Sequence, residues 1–257
     1  MEIHVVQPGE TLYSIAGQYG TDPLLLREAN GVGPGGALAV GQALVVQIVR
    51  TFHVVQPGET LSAVARRYGR TLRALYRDNP WLGGEPAVQP GQRLVIAYAD
   101  EKLGGTYTNG YAYPFIQRAL LSATLPYMSQ LTPFTYGIDA SGGLLPLDDG
   151  ELLGEARRLG STPLMHLSTL TESGAFSSQR AEMILVSENS QTALVSQILE
   201  TMAAKGYQGL DVDFEYIPGM LREEYAAFIY RLHTALAPRG LPVIVALAPK
   251  TRRDQPG

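Results

Sequence analysis

The chain has 257 residues, 24 acidic and 20 basic side chains, a formal net charge of −4 and no cysteine. Its length accommodates one large domain or two to three small ones, and the missing cysteines exclude disulfides, thiolate metal sites and cysteine nucleophiles. The slight acidic excess disfavours nucleic acid as a partner. No apolar run approaches the ~18 residues that cross a bilayer. No signal peptide is visible at the N-terminus.

The first hundred residues contain two copies of one short module. The nine residues from His4 to Leu12 recur without change from His53 to Leu61. Internal repetition of this kind marks a structural unit that is used twice. We therefore divide this region into one module over residues 2–48 and another over residues 51–97.

Each copy predicts a strand, two helices and a second strand. In the first copy, Ile3–Val6 is β-rich and stops at a Pro-Gly turn. Thr11 suits a helix N-cap, and an apolar stripe with i, i+3, i+4, i+7 spacing follows it before Gly20. A helix over 23–29 and a strand over Leu44–Val46 complete the copy. Such a small βααβ unit has little room for a buried active site, so it is either a binding module or a structural spacer.

The shared Val-Gln-Pro-Gly-Glu-Thr-Leu segment, with a late Pro-Gly-Gln-x-Leu-x-Ile in the second copy, resembles the LysM family. LysM modules bind N-acetylglucosamine-containing glycans, so the resemblance implies peptidoglycan or chitin as the partner. It also implies a shallow groove beside the first helix of each copy. The implied groove residues are Gly9, Glu10, Thr11, Leu12 and Asn30 in the first copy and Gly58, Glu59, Thr60, Leu61 and Asn79 in the second.

Beyond Gly104 the pattern changes to alternating strands and helices. The predicted strands are Tyr107–Tyr113, Leu131–Ile138, Thr162–Leu167, Gly209–Ile217 and Leu241–Leu247. The predicted helices cover residues 116–122, 150–159, 193–205 and 223–236. Because repeated β-α units form a parallel sheet covered by helices, residues 104–257 predict an α/β domain.

The fourth of these strands carries alternating carboxylates. Asp211, Asp213 and Glu215 share one face, since side chains alternate along a strand. In an antiparallel sheet this face would be solvated, but in a closed barrel it points inward, where repulsion and desolvation raise carboxyl pKa values. A raised pKa suits a general acid at neutral pH. Glu215 comes last, at the C-terminal strand end where barrel enzymes place their working residues.

The segment Gln208–Glu215 resembles the Asp-Gly-x-Asp-x-Asp-x-Glu signature of glycoside hydrolase family 18, with Gln208 in place of the first Asp. Gly110–Tyr113 and Ala246–Lys250 support the likeness. The arrangement is most similar to the LysM-bearing, spore-germination branch of that family. The resemblance implies a (β/α)8 TIM barrel and a β-N-acetylglucosaminidase that cleaves peptidoglycan.

The family likeness also implies a role for each carboxylate. Glu215 would protonate the leaving glycosidic oxygen, and Asp213 would orient the substrate's own acetamido group as it attacks the anomeric carbon. Asp211 would hold Asp213. This substrate-assisted route calls for no metal or cofactor. The implied sugar-binding residues of the barrel are Tyr111, Tyr113 and Tyr216.

The length of this region leaves alternatives open. From Gly104 onward 257 − 103 = 154 residues remain, against ~250 in a typical barrel. With five predicted strands, we expect a partial barrel and an inactive chain. The rivals of a peptidoglycan hydrolase are therefore a chitinase of the same fold and a non-catalytic wall-binding protein. The expected location is the cell wall, or the spore coat or cortex.

Four further residues allow simpler interpretations. His4 and His53 occupy matching strand positions and are interpreted as structural. His166, on the third predicted strand of the barrel, lines the barrel mouth or is a satisfied core histidine. Trp81, near the second predicted groove, stacks on a sugar or packs within its module.

Overall fold

A computed structural model of the chain describes residues 1–100 and 104–247. The chain forms two compact units. The first comprises Met1–Tyr107 and Arg118–Tyr127, and the second comprises Thr108–Gln117 and the chain from Met128 onward. Among the helices of the described ranges, none combines the length and apolarity needed to cross a membrane. The predicted contribution of Ala248–Lys250 lies outside the described residues.

The first module is the βααβ unit that the sequence predicts. Its elements are strand β1 (Glu2–Val5), helix α1 (Leu12–Tyr19), helix α2 (Pro23–Ala29) and strand β2 (Ala43–Val46). Strands β1 and β2 pair antiparallel. Thr11 is the N-cap of α1, where its side chain accepts a hydrogen bond from the Ser14 amide. Gly20 ends the helix at φ 63°, in the left-handed region that favours glycine.

The second module repeats this order. Its elements are strand β3 (Val49–Val54), helix α3 (Leu61–Arg67), helix α4 (Leu72–Asp78) and strand β4 (Arg93–Tyr98). A 3-10 turn over Pro80–Leu82 follows α4, and β3 pairs antiparallel with β4. Thr60 caps α3 as Thr11 caps α1. The first unit also includes helix α5 (Arg118–Thr124).

Matching histidines link three elements inside each module. In the first module, His4 Nδ1 lies 3.2 Å from the Tyr19 hydroxyl, and Nε2 lies 2.8 Å from a carboxylate oxygen of Glu10. The second module repeats these contacts at 3.2 and 2.7 Å with His53, Tyr68 and Glu59. The structural interpretation of both histidines is confirmed.

The described part of the second unit contains six short strands, which pair in parallel with their neighbours. They are β5 (Asn109–Ala112), β6 (Gln130–Pro133), β7 (Thr162–Pro163), β8 (Met165–Ser168), β9 (Leu210–Asp213) and β10 (Val243–Val245). One sheet has the order β5-β6-β7 and the other β8-β9-β10. A parallel bridge between Tyr136 and Leu167 connects the continuation of β6 to β8. The predicted parallel arrangement is confirmed.

The third predicted strand is divided into β7 and β8. The amide of Leu164 donates to Leu131 on β6, whereas the amide of Met165 donates to Gly209, which precedes β9. The chain thus passes from one sheet to the next at Leu164. The prediction of one continuous strand over Thr162–Leu167 is wrong at this point. The break is set by which neighbouring strand each amide bonds to, and the sequence of one strand does not show this.

The helices of the second unit follow the β-α alternation. They are α6 (Gly150–Leu159), α7 (Ser178–Leu185), α8 (Glu188–Lys205) and α9 (Arg222–Leu236). The sequence predicts α6 with its observed bounds, but it misses α7 and starts α8 too late. Ser177 and Ser187 cap these two helices. Their polar first turns conceal the apolar periodicity on which the prediction relied.

The main core of the second unit lies between β8, β9 and the helices. Leu210 and Val212 of β9 are fully buried in it together with Phe228 of α9. Because side chains alternate along a strand, Asp211 and Asp213 point to the opposite face. The burial of β9 on its apolar side therefore fixes the direction of both carboxylates.

A second buried carboxylate connects α6 and α8. Asp149, which precedes α6, is 1% exposed. It accepts hydrogen bonds from the Tyr136 hydroxyl at 2.6 Å, from Lys205 Nζ at 2.7 Å and from the Tyr207 hydroxyl. Burial alone would raise the pKa of Asp149, but the hydrogen bonds from Lys205 and the two tyrosines outweigh it and hold the pKa below its usual range.

We expect Asp149→Asn to destabilise the second unit by about 2–3 kcal/mol at neutral pH. Removing one partner of a buried ion pair costs about 3–5 kcal/mol, and the partial exposure of Lys205 reduces this. Since the folded-state pKa is lowered, the contribution of Asp149 is present above the unfolded-state pKa of about 3.9. It is lost as pH falls through the folded-state value.

Urea unfolding followed by near-ultraviolet circular dichroism of the tyrosines would measure this loss. Fluorescence of Trp81, the single tryptophan, reports on the first unit and should not change. The matched control is Asp148→Asn, because Asp148 is exposed. Equal unfolding midpoints for the two variants at pH 7 would contradict the assigned role of Asp149.

Candidate functional site

The candidate site is built on β9 and β5. Asp211 is 1% exposed, and its Oδ2 accepts a hydrogen bond of 2.7 Å from the Tyr111 hydroxyl on β5. Asn109, two residues earlier on β5, has its side-chain nitrogen 3.4 Å from the same oxygen. The structure thus places the predicted residues Asp211 and Tyr111 in direct contact.

The environment of Asp211 favours its protonated form. Burial raises the pKa of Asp211, and the charge of Asp213 raises it further. The hydrogen bond from Tyr111 and the proximity of His166 oppose this without cancelling it. The pKa of Tyr111 is also raised, first by burial and then by its hydrogen bond to Asp211. Tyr111 therefore remains a hydrogen-bond donor.

His166 joins the site at the centre of β8. It is fully buried, with Nε2 3.5 Å from Oδ2 of Asp213 and Nδ1 2.5 Å from the Thr135 hydroxyl oxygen. Thr135 in turn donates to Ser168 at 3.0 Å. His166 is therefore a core histidine hydrogen-bonded through Nδ1, and its Nε2 faces a predicted catalytic carboxylate without a hydrogen bond among the described residues.

Aromatic rings surround His166 on the strand face. Phe134 stacks on the imidazole with ring centroids 4.8 Å apart, and Tyr111 meets it edge-on at 5.3 Å. Tyr113 stacks on Phe115 at 5.0 Å and contacts Phe134 at the same distance. Tyr111 and Tyr113 are about half exposed. Accessible aromatic faces beside polar groups are typical of ligand sites.

Glu215 and Tyr216 lie beyond the end of β9. The strand stops at Asp213, so the prediction of a strand through Ile217 is wrong at its C-terminal end. Tyr216 has a positive φ of 56°, an uncommon conformation for a residue with a side chain, and Ser178 donates to its carbonyl at 2.8 Å. Glu215 is partly exposed and Tyr216 is exposed. Both therefore belong to a loop at the C-terminal end of the sheet.

Tyr225 lies in α9, for which the sequence predicts only a helix over residues 223–236. Burial raises the pKa of its hydroxyl to about 12, and the charges of Asp213 and Asp211 add to this. Its ring stacks on Phe214, with centroids 5.9 Å apart. The hydroxyl oxygen is buried and has no hydrogen-bond partner among the described residues. Tyr225 therefore packs in the core on the Phe214 side of β9, opposite to the face of Asp211 and Asp213.

The predicted LysM groove residues divide into two groups. Gly9 and Thr11 are exposed, Glu10 is partly exposed, and the second module repeats this pattern. Leu12 and Leu61 instead lie in the module cores at 6% and 1% exposure. Their side chains stabilise the modules, and ligand contact at these two leucines stays a prediction.

Asn30 and Asn79 also have structural side chains. The Asn79 amide donates to the carbonyls of Leu75 and Val95 at 2.8 and 2.9 Å, and its oxygen accepts from the Val95 amide at 2.6 Å. Asn79 is 0% exposed, and Asn30 makes the equivalent bonds in the first module. Because these bonds use the buried side chain of Asn79 inside the module, that side chain has an internal role, and glycan contact at this position stays a prediction.

Trp81 lies at the edge of a cleft in the second module. The cleft has a volume of about 410 Å³ and is lined by Trp81, Leu82, Ala87, Gln89, Pro90 and Gln92. Trp81 is half-buried. Packing and sugar stacking therefore both remain open for its ring.

Comparison with known proteins identifies similarities over the whole chain. The LysM domain family matches residues 4–47 and 53–97. The chain is 30% identical over 259 residues to a protein named as a sporulation-specific glycosylase, YdhD, of Bacillus subtilis. It is 32% identical over 269 residues to the cortical fragment-lytic enzyme of the same organism. Each match covers 100% of this chain and 60% of the relative.

Solved structures agree with these relatives. The crystal structure of the spore cortex-lytic enzyme SleL of Bacillus megaterium matches with a TM-score of 0.68 and 29% identity. The match covers 99% of this chain and 60% of that protein. Bacterial chitinases with TM-scores of 0.52 and 0.53 share the fold of the second unit at 20% and 23% identity. The chain thus spans about 60% of the length of the relatives that it matches.

Proposed function

We propose that this chain, in which two LysM domains precede parallel strands similar to those of spore cortex-lytic enzymes, binds peptidoglycan and cleaves β-1,4 N-acetylglucosamine linkages. The carboxylate pair on β9 carries the proposal. Asp211 is buried against Tyr111, and Asp213 lies 3.5 Å from His166. The cell wall or the spore cortex is the proposed location, because that is where this substrate lies.

In the proposed reaction the substrate's own acetamido oxygen attacks the anomeric carbon. The bond from that carbon to the glycosidic oxygen breaks, and Glu215 transfers its proton to the departing oxygen. Water then attacks the anomeric carbon and returns a proton to Glu215, which regenerates the acetamido group with net retention. This substrate-assisted sequence is an exception to the usual mechanism with two carboxylates.

Asp213 and Asp211 act on the acetamido group rather than on the leaving group. Asp213 orients the acetamido N–H and stabilises the positive charge that develops there. Burial and the charge of Asp213 raise the pKa of Asp211, and a proton on Asp211 would lower the repulsion between the two carboxylates. Tyr111, Tyr113 and Tyr216 offer aromatic faces for the sugar rings.

Product analysis tests the proposal against its rivals. The complete gene product would be incubated with spore cortex, vegetative cell wall and chitin, and the released fragments identified by mass spectrometry. Cortex or wall fragments that end in a reducing N-acetylglucosamine are the expected result. Release of short oligomers from chitin alone would indicate a chitinase, and binding without release would indicate a non-catalytic wall-binding protein.

A further inference from the structure

The two LysM modules share a fold but carry opposite charge. Residues 2–48 have four acidic and one basic side chain, a net charge of −3. Residues 51–97 have three acidic and six basic side chains, a net charge of +3. Their strands, helices and threonine caps match. Because the same fold forms at a net charge of −3 and of +3, the fold does not require this charge difference. We therefore relate the difference in charge to what the modules bind.

Much of the added positive charge lies at one helix end. Three arginines lie at this end, Arg66 and Arg67 in the last turn of α3 and Arg70 three residues after it, where the first module has Gly17, Gln18 and Thr21. A nitrogen of the Arg67 guanidinium lies 2.9 Å from Oε1 of Glu59, one of the proposed groove residues. The Arg67 side chain is 57% exposed. It can therefore meet a ligand at that groove.

The groove loop of each module contains one anchored glutamate. Glu10 and Glu59 each accept a hydrogen bond from the backbone amide three residues earlier, at 2.7 and 2.8 Å. That amide, followed by the histidine of each module, holds the pKa of both carboxyls below the usual range. Both are ionised at neutral pH. Glu59 has Arg67 beside it, whereas Gln18 occupies the matching position in the first module.

We infer that Arg67 makes the second module selective for the carboxylate-bearing part of the wall polymer, the muramyl-peptide units, while the first module takes neutral N-acetylglucosamine segments. The inference rests on the proposed function and names the substrate class of each groove. Glu10, which has no arginine at the position that matches Arg67, repels an approaching carboxylate, and this repulsion discriminates against such ligands. Arg67 neutralises Glu59 and offers a planar set of N–H donors that fits a carboxylate.

A simpler explanation is that the arginines stabilise α3, since cations are favourable at a helix C-terminus. Arg66 provides the matched control, because it lies in the same last turn and is exposed like Arg67. Arg66→Gln and Arg67→Gln remove equal charge from the same helix end. They differ in whether the contact with Glu59 is lost.

The test follows the amide signals of Gly9 and Gly58 in the full 257-residue chain by NMR titration, so that each module reports separately. The probes are chitohexaose, a soluble peptidoglycan fragment with free peptide carboxylates, and the same fragment with those carboxylates amidated. At Gly58 we expect about three- to fivefold tighter binding of the free carboxylate form than of the amidated form. Arg67→Gln should abolish this preference, Arg66→Gln should retain it, and Gln18→Arg should create it at Gly9.

The outcomes separate this inference from the proposed function. Equal losses in Arg66→Gln and Arg67→Gln, or no preference at Gly58, would overturn the role of Arg67 while glycan binding stands. If neither module binds any of the three probes, the proposed function is overturned instead. Raising the salt concentration should weaken the preference at Gly58 for the free carboxylate fragment but leave chitohexaose binding unchanged. A preference that does not depend on salt would contradict the proposed role of Arg67.

Discussion

Replacing Glu215 with glutamine in the complete gene product should lower the turnover of peptidoglycan about 10²–10⁴-fold, the usual contribution of a general acid. Glutamine keeps the size and polarity of the side chain but has no proton to transfer to the glycosidic oxygen. The rate of reducing-sugar release from purified cortex measures the effect. Binding of the variant to the same cortex should be unchanged, because the LysM modules are not altered.

A glutamate in the helix that follows the same loop provides the control for this substitution. Glu223 is the second residue of α9, eight positions after Glu215, and its side chain is 79% exposed. Glu223→Gln removes one negative charge near the site but should keep nearly the parent turnover. If Glu215→Gln digests cortex at the parent rate, another group supplies the proton and Glu215 is misassigned.

Local signals were sufficient to predict the LysM modules. Threonine caps, a Pro-Gly turn and a glycine at a helix end each act over a few residues, so α1 and α2 were predicted with the observed bounds. Helix α7 was missed because its first turn, from Ser178, is polar and its apolar residues come late. The serines at residues 177 and 187, which cap α7 and α8, are the sequence signals that mark the starts of these two helices.

The direction of the carboxylates was predictable, but their partners were not. Alternation along β9 places Asp211 and Asp213 on one face in the sequence and in the structure. Tyr111 lies 100 residues earlier in the chain than Asp211, and only the fold brings the two together. His166 is paired in register with Asp211 across β8 and β9. A correct strand register would have found it.

In the modules, a residue that family likeness assigns to the ligand has an internal role in the fold. Family likeness suggested Asn79 as a glycan ligand, although its position after α4 equally suits an internal link to β4. Its amide satisfies one donor and two carbonyl acceptors of the backbone, and buried backbone groups rarely remain unpaired. The repeated asparagine therefore serves the fold in both copies, whereas Arg67, which differs between the copies, is the residue for which we propose a role in ligand selection.

Deleting residues 1–48, which ends before β3, should weaken binding to intact cell wall about 10²–10⁴-fold while leaving measurable binding. Two linked modules that engage one polymer gain affinity because the second contact is intramolecular, and the gain disappears when one module is lost. A short oligosaccharide that fills one groove should lose only about half of its sites, since it cannot bridge the modules.

Circular dichroism and Trp81 fluorescence would verify that the second module remains folded. Wall sedimentation and oligosaccharide titration, performed on the same two proteins, give the two ratios. Equal losses for both ligands would mean that the modules bind independently, and no loss of wall binding would mean that the first module is not a binding module.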